Sequence, residues 1–406
     1  RLTELCDRFG ARFSGTTNLE AAIDWTVARL REDGFDEVRT EPVMVPRWVR
    51  GAESAELVEP TPGPLPMLGL GGSIGTPPEG ITAPLLVVTN FAELAARTNE
   101  AAGRIVLFNA AFTDYGATVQ VRWRGPAEAA RAGAVACLIR SVTPFSLQTP
   151  HTGAMDYPTN APRIPAAALT IEDADRLHRW QARGVTPVAR LRMAAQTLPE
   201  VPSRNVLAEL RGRERPEEII VVGGHFDSWD VGQGALDDGV GCIAAWEALR
   251  QIKGLPQPPR RTLRLVLWTN EENGLRGARA YAHRPADELA RHVAAIELDR
   301  GLGWPRGFSF LGGDAGLAML RGFSDRLAPL GAGEFRRGGV GADLGPLIER
   351  GVPGLEMINS STNYFWFHHT AADTVDKVSP AELDATVAAL AVLAWSLADA
   401  PEKLPR

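Results

Sequence analysis

Five short stretches carry residues that could do chemistry together. They are His225-Phe226-Asp227, the turn Leu236-Asp237-Asp238-Gly239, the pair Glu271-Glu272, Asp299 in the run ELDRG, and the loop Phe367-His368-His369-Thr370-Ala371-Ala372-Asp373-Thr374. Histidine nitrogens and carboxylate oxygens are what zinc takes when no thiolate is offered. Two histidines and three carboxylates suffice for two metal ions that share one bridging carboxylate and one bridging water. Such a pair, roughly 3.5–4 Å apart, lowers the pKa of the water and polarises a carbonyl at the same time. Each stretch alone has a plainer reading. Glu271-Glu272 would be solvated surface, Asp237-Asp238-Gly239 a helix-capping turn, Asp299 a turn acid, and His368 and His369 loop histidines. All five at the ends of apolar strands, in the order His, Asp, Glu, Asp, His, is hard to reach by accident.

The elements that must position these residues are legible from the apolar pattern. Ile219, Ile220, Val221 and Val222 form a short apolar run between charges and the glycines 223 and 224, which is the mark of a buried parallel strand. Ligands in open α/β sheets gather outside the carboxyl ends of such strands, where His225 and Asp227 leave this one. The two glycines are expected to let the backbone bend there and keep the mouth open. Glu271 and Glu272 follow the strand RTLRLVLWTN. Neighbours at a strand end point opposite ways, so one is expected to bind metal and the other to take a proton.

The chain has 406 residues, 45% apolar and 23% charged, with a formal net charge of -6. This suggests an ordinary globular protein of two compact units. Lys and Arg are scattered, so nucleic acid is not an expected partner. The three cysteines, Cys6, Cys137 and Cys242, make no CxxC pair and read as buried free thiols. No run approaches the eighteen or so apolar residues of a membrane span, so no membrane partner is expected.

An early helix, capped by Thr17 or Asn18 and ended by Gly34, precedes an extended segment FDEVRTEPVMVPRWV. A Pro/Gly-rich tract over 60–80 suggests a domain boundary. Beyond it APLLVVTN, GRIVLFN, the helix PAEAARAGA, the strand Val135–Ile139, AAALT and the helix EDADRLHRWQARG form a small α/β unit without metal-ligand spacing. From 196 strands and helices alternate again up to a final helix from Ser379 to Ala398, with Ser379 as its cap. The expected fold is α/β, a doubly flanked mostly parallel sheet with an inserted α/β domain. The expected division is 1–66 and 196–406 for the main domain and 67–195 for the insert.

These motifs resemble the dizinc exopeptidases, a large family that includes bacterial aminopeptidases and glutamate carboxypeptidase. His225-Phe226-Asp227 is similar to the family's His-x-Asp, Asp237 to its bridging Asp in Asp-x-Gly-x-Gly, and Glu271-Glu272 to its Glu-Glu. Asp299 is similar to its later Asp, and His369 to Thr374 to its closing His-[Ser/Thr]-x-x-Asp-Thr. The resemblance implies His225, Asp237, Glu272, Asp299 and His369 as metal ligands, with Asp237 bridging, and Glu271 as general base. It implies that Asp227 orients His225 through the other ring nitrogen. AEAARAGAVACLIRS and IPAAALTIEDADRL resemble a protease-associated domain, and RSVTPFSLQTPHTG and YFWFHHTAADT resemble the carboxypeptidase Q branch. Asp343, Tyr364, His368 and His151 are candidates for contact with substrate.

The implied activity is hydrolysis of dipeptides or short peptides with free termini, by two zinc ions per chain, with cobalt or manganese able to use the same ligands. The resemblance further implies a homodimer and an exported protein. Two other readings stand beside it: a single-zinc glutaminyl-cyclase-like acyltransferase, and a non-catalytic binding protein on the same scaffold. The complete ligand set weighs against both.

Overall fold

A computed structural model describes residues 1–406. Its strands in chain order are β1 (Glu37–Val49), β2 (Glu53–Glu59), β3 (Gly63–Leu65), β4 (Met67–Gly69), β5 (Ile81–Val88) and β6 (Ile105–Phe108). There follow β7 (Ala136–Arg140), β8 (Ala166–Leu169), β9 (Val188–Met193), β10 (Gln196–Leu210) and β11 (Arg215–His225). The last five are β12 (Arg261–Trp268), β13 (His292–Glu297), β14 (Pro305–Leu311), β15 (Glu334–Arg337) and β16 (Gly354–Asn359). They form two eight-stranded sheets.

The chain divides into two compact units. The first holds Arg1–Val45, Glu200–Tyr364 and Asp373–Arg406; the second holds Pro46–Pro199 and the short segment Phe365–Ala372. The divisions at 45/46 and 199/200 fall inside β1 and β10, whereas composition suggests 66/67 and 195/196.

In the first sheet the order is β1-β10-β12-β11-β13-β16-β14-β15. β11 pairs in parallel with β12 and β13, and β13 with β16, while β10 and β14 run antiparallel to their inner neighbours. Every residue of β12 and β13 is buried, as expected of strands covered on both faces. One face takes the helices Val240–Lys253 and Pro380–Asp399. The other packs Leu207, Val221, Val266 and Ala295 against Ala278, Tyr281 and Leu347. Gly223 is explained by this packing and not by a bend: a Cβ there would overlap the Val266 carbonyl of β12.

The second sheet, in the order β3-β2-β9-β5-β6-β7-β8-β4, has a parallel centre of β5 to β8. Alternate residues of its strands feed two different cores. Leu86, Val88, Val106, Phe108, Cys137 and Ile139 face one, with Val121 and Ala129 of the helix Tyr115–Arg131. Leu85, Val87, Ile105, Leu107 and Leu138 face the other, with Ala174 and Leu177 of Ile171–Ala182.

Several local expectations change. The early helix is capped by Thr16, whose hydroxyl accepts from the Leu19 N–H, and not by Thr17 or Asn18. The helix expected at PAEAARAGA begins eleven residues earlier, at Tyr115, and contains Pro126. The final helix is capped by Ser379 as expected, with its hydroxyl accepting from Glu382 N–H. By length and composition, however, that helix, Pro380–Asp399 with mean hydropathy 1.5, is apolar enough to cross a membrane. The expectation that no run reaches this length is therefore corrected: alanines and leucines with few charges between them meet the length and composition of a span. Half of its apolar window is buried, packed on Val240–Lys253 and on β11, β12 and β14. The three cysteines are free and buried.

Candidate metal centre

His225 is the last residue of β11 and its ring is buried. The ring Nδ1 lies 2.9 Å from the Asp227 carbonyl oxygen. A carbonyl can only accept, so Nδ1 carries a proton and Nε2 is the nitrogen left to meet a metal ion or a second proton. Nε2 lies 3.4 Å from Asp237 Oδ1 and 3.6 Å from Asp299 Oδ1. Asp299 comes two residues after β13, the parallel neighbour of β11, so the register of the sheet brings it to the same edge.

Asp237 sits in the tight turn Ala235–Gly239 that leads into the helix Val240–Lys253. Its position is secured from two sides. The Asp373 carboxylate accepts from Leu236 N–H at 2.7 Å and from Asp237 N–H at 3.1 Å. The Tyr364 hydroxyl donates to Asp237 Oδ1 at 2.9 Å. Burial, then the neighbouring carboxylates of Asp237 and Asp299, push the Tyr364 phenol far above its ordinary range, so it remains a donor. Burial also pushes Asp373 up to about 7.

Glu271 and Glu272 do not end a strand. β12 stops at Trp268, and the pair opens a turn entered through Asn270 at φ +64. Asp227 organises that turn. Its Oδ1 accepts from Glu271 N–H at 2.9 Å, and its Oδ2 accepts from Glu272 N–H and the Ser14 hydroxyl, each at 3.3 Å. Asp227 thus orients His225 with its main-chain carbonyl, while its carboxylate is committed to the glutamate turn. The orienting role that the resemblance implies for Asp227 falls to its main chain, and its side chain has a second task that the motif does not announce. Glu272 is buried and Glu271 half-buried. Burial raises the Glu271 carboxyl well above the usual carboxylate range; Glu272, Asp299 and Asp343 add to that and His225 opposes it.

Sequence reasoning passed over two supports from the stretch GARFSG. The buried Arg12 guanidinium donates to the main-chain oxygens of Phe226, Gln233 and Gly234, at 3.0, 2.7 and 3.0 Å. The Ser14 hydroxyl accepts from Asn270 Nδ2 at 2.9 Å. The available signal was an arginine among small and aromatic residues, too weak to single out without the fold.

Of the other candidates, Asp343 is fully buried, and the Cβ position of nearby Gly341 abuts Glu297, whose carboxylate accepts from Leu344 N–H at 3.2 Å. Burial raises Asp343 to about 8. His151, His368 and His369 belong to the second unit. There His368 and His369 stack with ring centroids 3.5 Å apart, and His151 N–H donates to the Ser141 hydroxyl at 2.8 Å. Burial pushes the His151 ring down to about 3.

The donor set fits a hard-to-intermediate cation. His225, Asp237 and Asp299 offer ligand atoms within 4.8 Å of one another. Burial disfavours charge on His225, yet the Asp237 and Asp299 carboxylates outweigh it and push the imidazole well up. Burial likewise raises Asp238 and Glu297. A buried cluster that draws a proton onto one imidazole and drives its carboxyls toward neutrality is short of positive charge, which a divalent ion supplies.

Peptidase family M28 matches over residues 205–394. Carboxypeptidase Q of Homo sapiens is 44% identical over the whole of this chain, which spans 86% of that relative; the Rattus norvegicus protein is 47% identical with the same coverage. The crystal structure of a peptidase M28 precursor from Shewanella amazonensis superposes with a TM-score of 0.95 at 35% identity, over 100% of this chain and 93% of that one. A zinc aminopeptidase from Bacillus subtilis shares the fold, with a TM-score of 0.74 at 22% identity over 99% and 95% of the two chains. With full-length relatives at this identity and a donor cluster at the carboxyl edge of its parallel strands, the chain belongs to peptidase family M28.

Proposed function

We propose that this metallo-exopeptidase holds two zinc ions and hydrolyses dipeptides or short peptides with free termini. The observation that carries the reading is His225 Nε2 set between the Asp237 and Asp299 carboxylates in a buried, charge-starved cluster. His225, Asp237, Glu272, Asp299 and His369 are the ligands in this reading, with Asp237 bridging. Zinc held by these residues would supply a lowered pKa for water and polarisation of the scissile carbonyl.

The chain's own groups do the rest. Glu271 takes the proton from the attacking water and returns it to the leaving amine. Its raised pKa suits both halves of that exchange, because a carboxyl that protonates easily is a competent base that also gives the proton back. Asp227 keeps Glu271 and Glu272 in register by holding both their N–H groups. Tyr364 donates a hydrogen bond to Asp237, and Tyr364, His368 and His151 are read as groups that contact substrate. Asp343, fully buried, is read as a further group near the substrate. The second unit is read as a protease-associated insert.

The test is metal content per chain together with hydrolysis of a dipeptide panel before and after chelation. Two zinc ions and chelator-sensitive cleavage are expected; cobalt or manganese would be tried on the stripped protein. One zinc per chain would favour the glutaminyl-cyclase-like acyltransferase, and no cleavage with no metal the binding protein. Peptides blocked at one terminus decide polarity, since carboxypeptidase and aminopeptidase names both occur among the relatives. Export and a homodimer complete the reading, to be tested by cell fractionation and by solution mass.

A further inference from the structure

The helix Tyr115–Arg131 of the second unit contributes a buried arginine that the mechanism above leaves unused. Arg122 is 6% exposed. Its Nε donates to the Ala154 carbonyl at 3.2 Å, its Nη1 to the Thr152 carbonyl at 3.4 Å and its Nη2 to the Tyr115 hydroxyl at 3.1 Å. Nη1 also lies 3.4 Å from His369 Nδ1. His369 Nδ1 is nearer to the Thr152 carbonyl oxygen, at 3.2 Å, and Thr152 N–H donates to the His369 carbonyl at 3.0 Å. The loop and the histidine are therefore joined through both main chain and ring.

The chemistry of the donors selects one arrangement. A guanidinium has only protons to offer and a carbonyl only lone pairs. Were Nδ1 to accept from Arg122, the ring proton would sit on Nε2, which then could not bind a metal. With Nδ1–H donating to Thr152, the lone pair falls on Nε2. The Thr152 oxygen has two lone pairs, enough to accept from both Arg122 and His369.

Two features show that this arrangement is built in. His369 adopts φ +61, a left-handed conformation that is strained for a non-glycine residue and persists only where the surroundings hold it. The Thr152 N–H does so. Gly153 adopts φ +140, and a Cβ there would overlap the Arg122 guanidinium. Tyr115, which Arg122 binds, stacks on Phe365 at 5.0 Å and meets His368 edge-on at 5.1 Å, so the same helix also packs the segment that carries His369.

We propose that Arg122 is a positioning residue for His369: it holds the Thr152–Ala154 loop so that the Thr152 carbonyl fixes the Nδ1–H tautomer and commits Nε2 to metal. This rests on the reading of His369 as a ligand. The test is zinc affinity at each of the two sites, by competition with a chelator of known affinity, for the full chain and the variants Arg122→Met, Arg122→Lys, Gly153→Ala and His369→Gln. Circular dichroism melts check folding, and kcat and KM are measured at limiting and excess zinc. Arg122→Met and Gly153→Ala are expected to weaken one zinc about 10–100-fold and leave the other within twofold. Their kcat should fall at limiting zinc and recover in excess zinc with KM unchanged, which a general loss of structure would not do. Arg122→Lys should lie between them and the parent, because an ammonium cannot span the Ala154, Thr152 and Tyr115 oxygens at once. Should Arg122→Met fail to fold, Arg122→Lys and Gly153→Ala decide on the same scale. Parental affinity at both sites in folded Arg122 variants, or equal weakening at both, overturns the proposal. If His369→Gln keeps two zinc ions at parental affinity, the ligand reading itself fails. If it loses one while the Arg122 variants do not, only the positioning role fails.

Discussion

Two buried histidines in the same sheet are pushed in opposite directions. His225, at the carboxyl end of β11, faces Asp237 and Asp299 and is driven well above its ordinary pKa. His292, at the amino end of β13, is driven down to about 4, chiefly by burial and then by the guanidinia of Arg264 and Arg284. Its Nε2 meets the Tyr281 hydroxyl at 2.9 Å and its Nδ1 the Glu288 carbonyl at 3.0 Å. Both rings are almost wholly enclosed, so desolvation is common to them and the neighbours decide the sign. The carboxyl edge concentrates negative charge that calls for a cation. The amino edge satisfies its histidine as a neutral hydrogen-bonding group. Parallel strands create this asymmetry by delivering all their carboxyl ends, and the loops that follow, to one side.

The comparison can be broken most strongly at Glu271. Glu271→Gln keeps the shape of the turn but removes the proton acceptor, and kcat is expected to fall by about 10²–10⁴-fold with metal content unchanged. Activity near the parental level would remove Glu271 from the mechanism.

The amino edge predicts a pH effect on stability and not on catalysis. Above about pH 6.5, the ordinary histidine value, His292 is neutral in both folded and unfolded chains and contributes no slope. Between about 6.5 and about 4 the unfolded chain takes up a proton that the folded chain refuses. Stability is therefore lost as pH falls through this window, by about 3 kcal/mol in full. Urea unfolding of the parent and of His292→Gln at pH 7 and pH 4.5 measures it, and the variant should show the smaller drop. Identical drops would mean that His292 titrates normally.

A smaller effect is expected at Asp227. Asp227→Asn replaces one acceptor oxygen with a donor facing the Glu271 or Glu272 N–H, while leaving the carbonyl that orients His225. Activity should fall about 10–100-fold with the His225 ligand environment retained, as read by the visible spectrum of the cobalt-substituted protein. A spectrum altered as much as activity would show that the carboxylate also governs the histidine.

The smallest effect sharpens the contrast between the two sheets. At the carboxyl ends of β6 and β7 in the second sheet, Asn109, Arg140 and Asp175 satisfy one another: Arg140 Nη1 donates to Asp175 at 2.8 Å and Asn109 Nδ2 donates to Asp175 at 3.1 Å. This edge has polar residues but no surplus of charge. Asp175→Asn is expected to cost at most about 1 kcal/mol of stability and to leave kcat unchanged. A large loss of activity would give that edge a role the geometry does not suggest.

Much of this was readable in the residues. Ile219 to Val222 announced β11 because a strand buried on both faces must be apolar throughout, and Ser379 with Pro380 announced the start of the last helix. Pro126 resembles a helix start, so the local pattern gives the helix Tyr115–Arg131 too short, although the proline is accommodated well inside. The glutamate pair was placed on a strand because its turn is made by Asp227, forty-four residues away, and no local pattern encodes that bond.

The identity of the donor residues, their order and their location after apolar strands are properties of the sequence, since ligand chemistry and strand burial are both set by side-chain type. Which atoms meet is decided only by the tertiary structure. The sheet register brings Asp299 to His225, Asp373 fixes the main chain of Asp237, and Arg122 secures the loop that pairs with His369. Those contacts join residues far apart in the chain, and their geometry depends on packing that no single stretch contains.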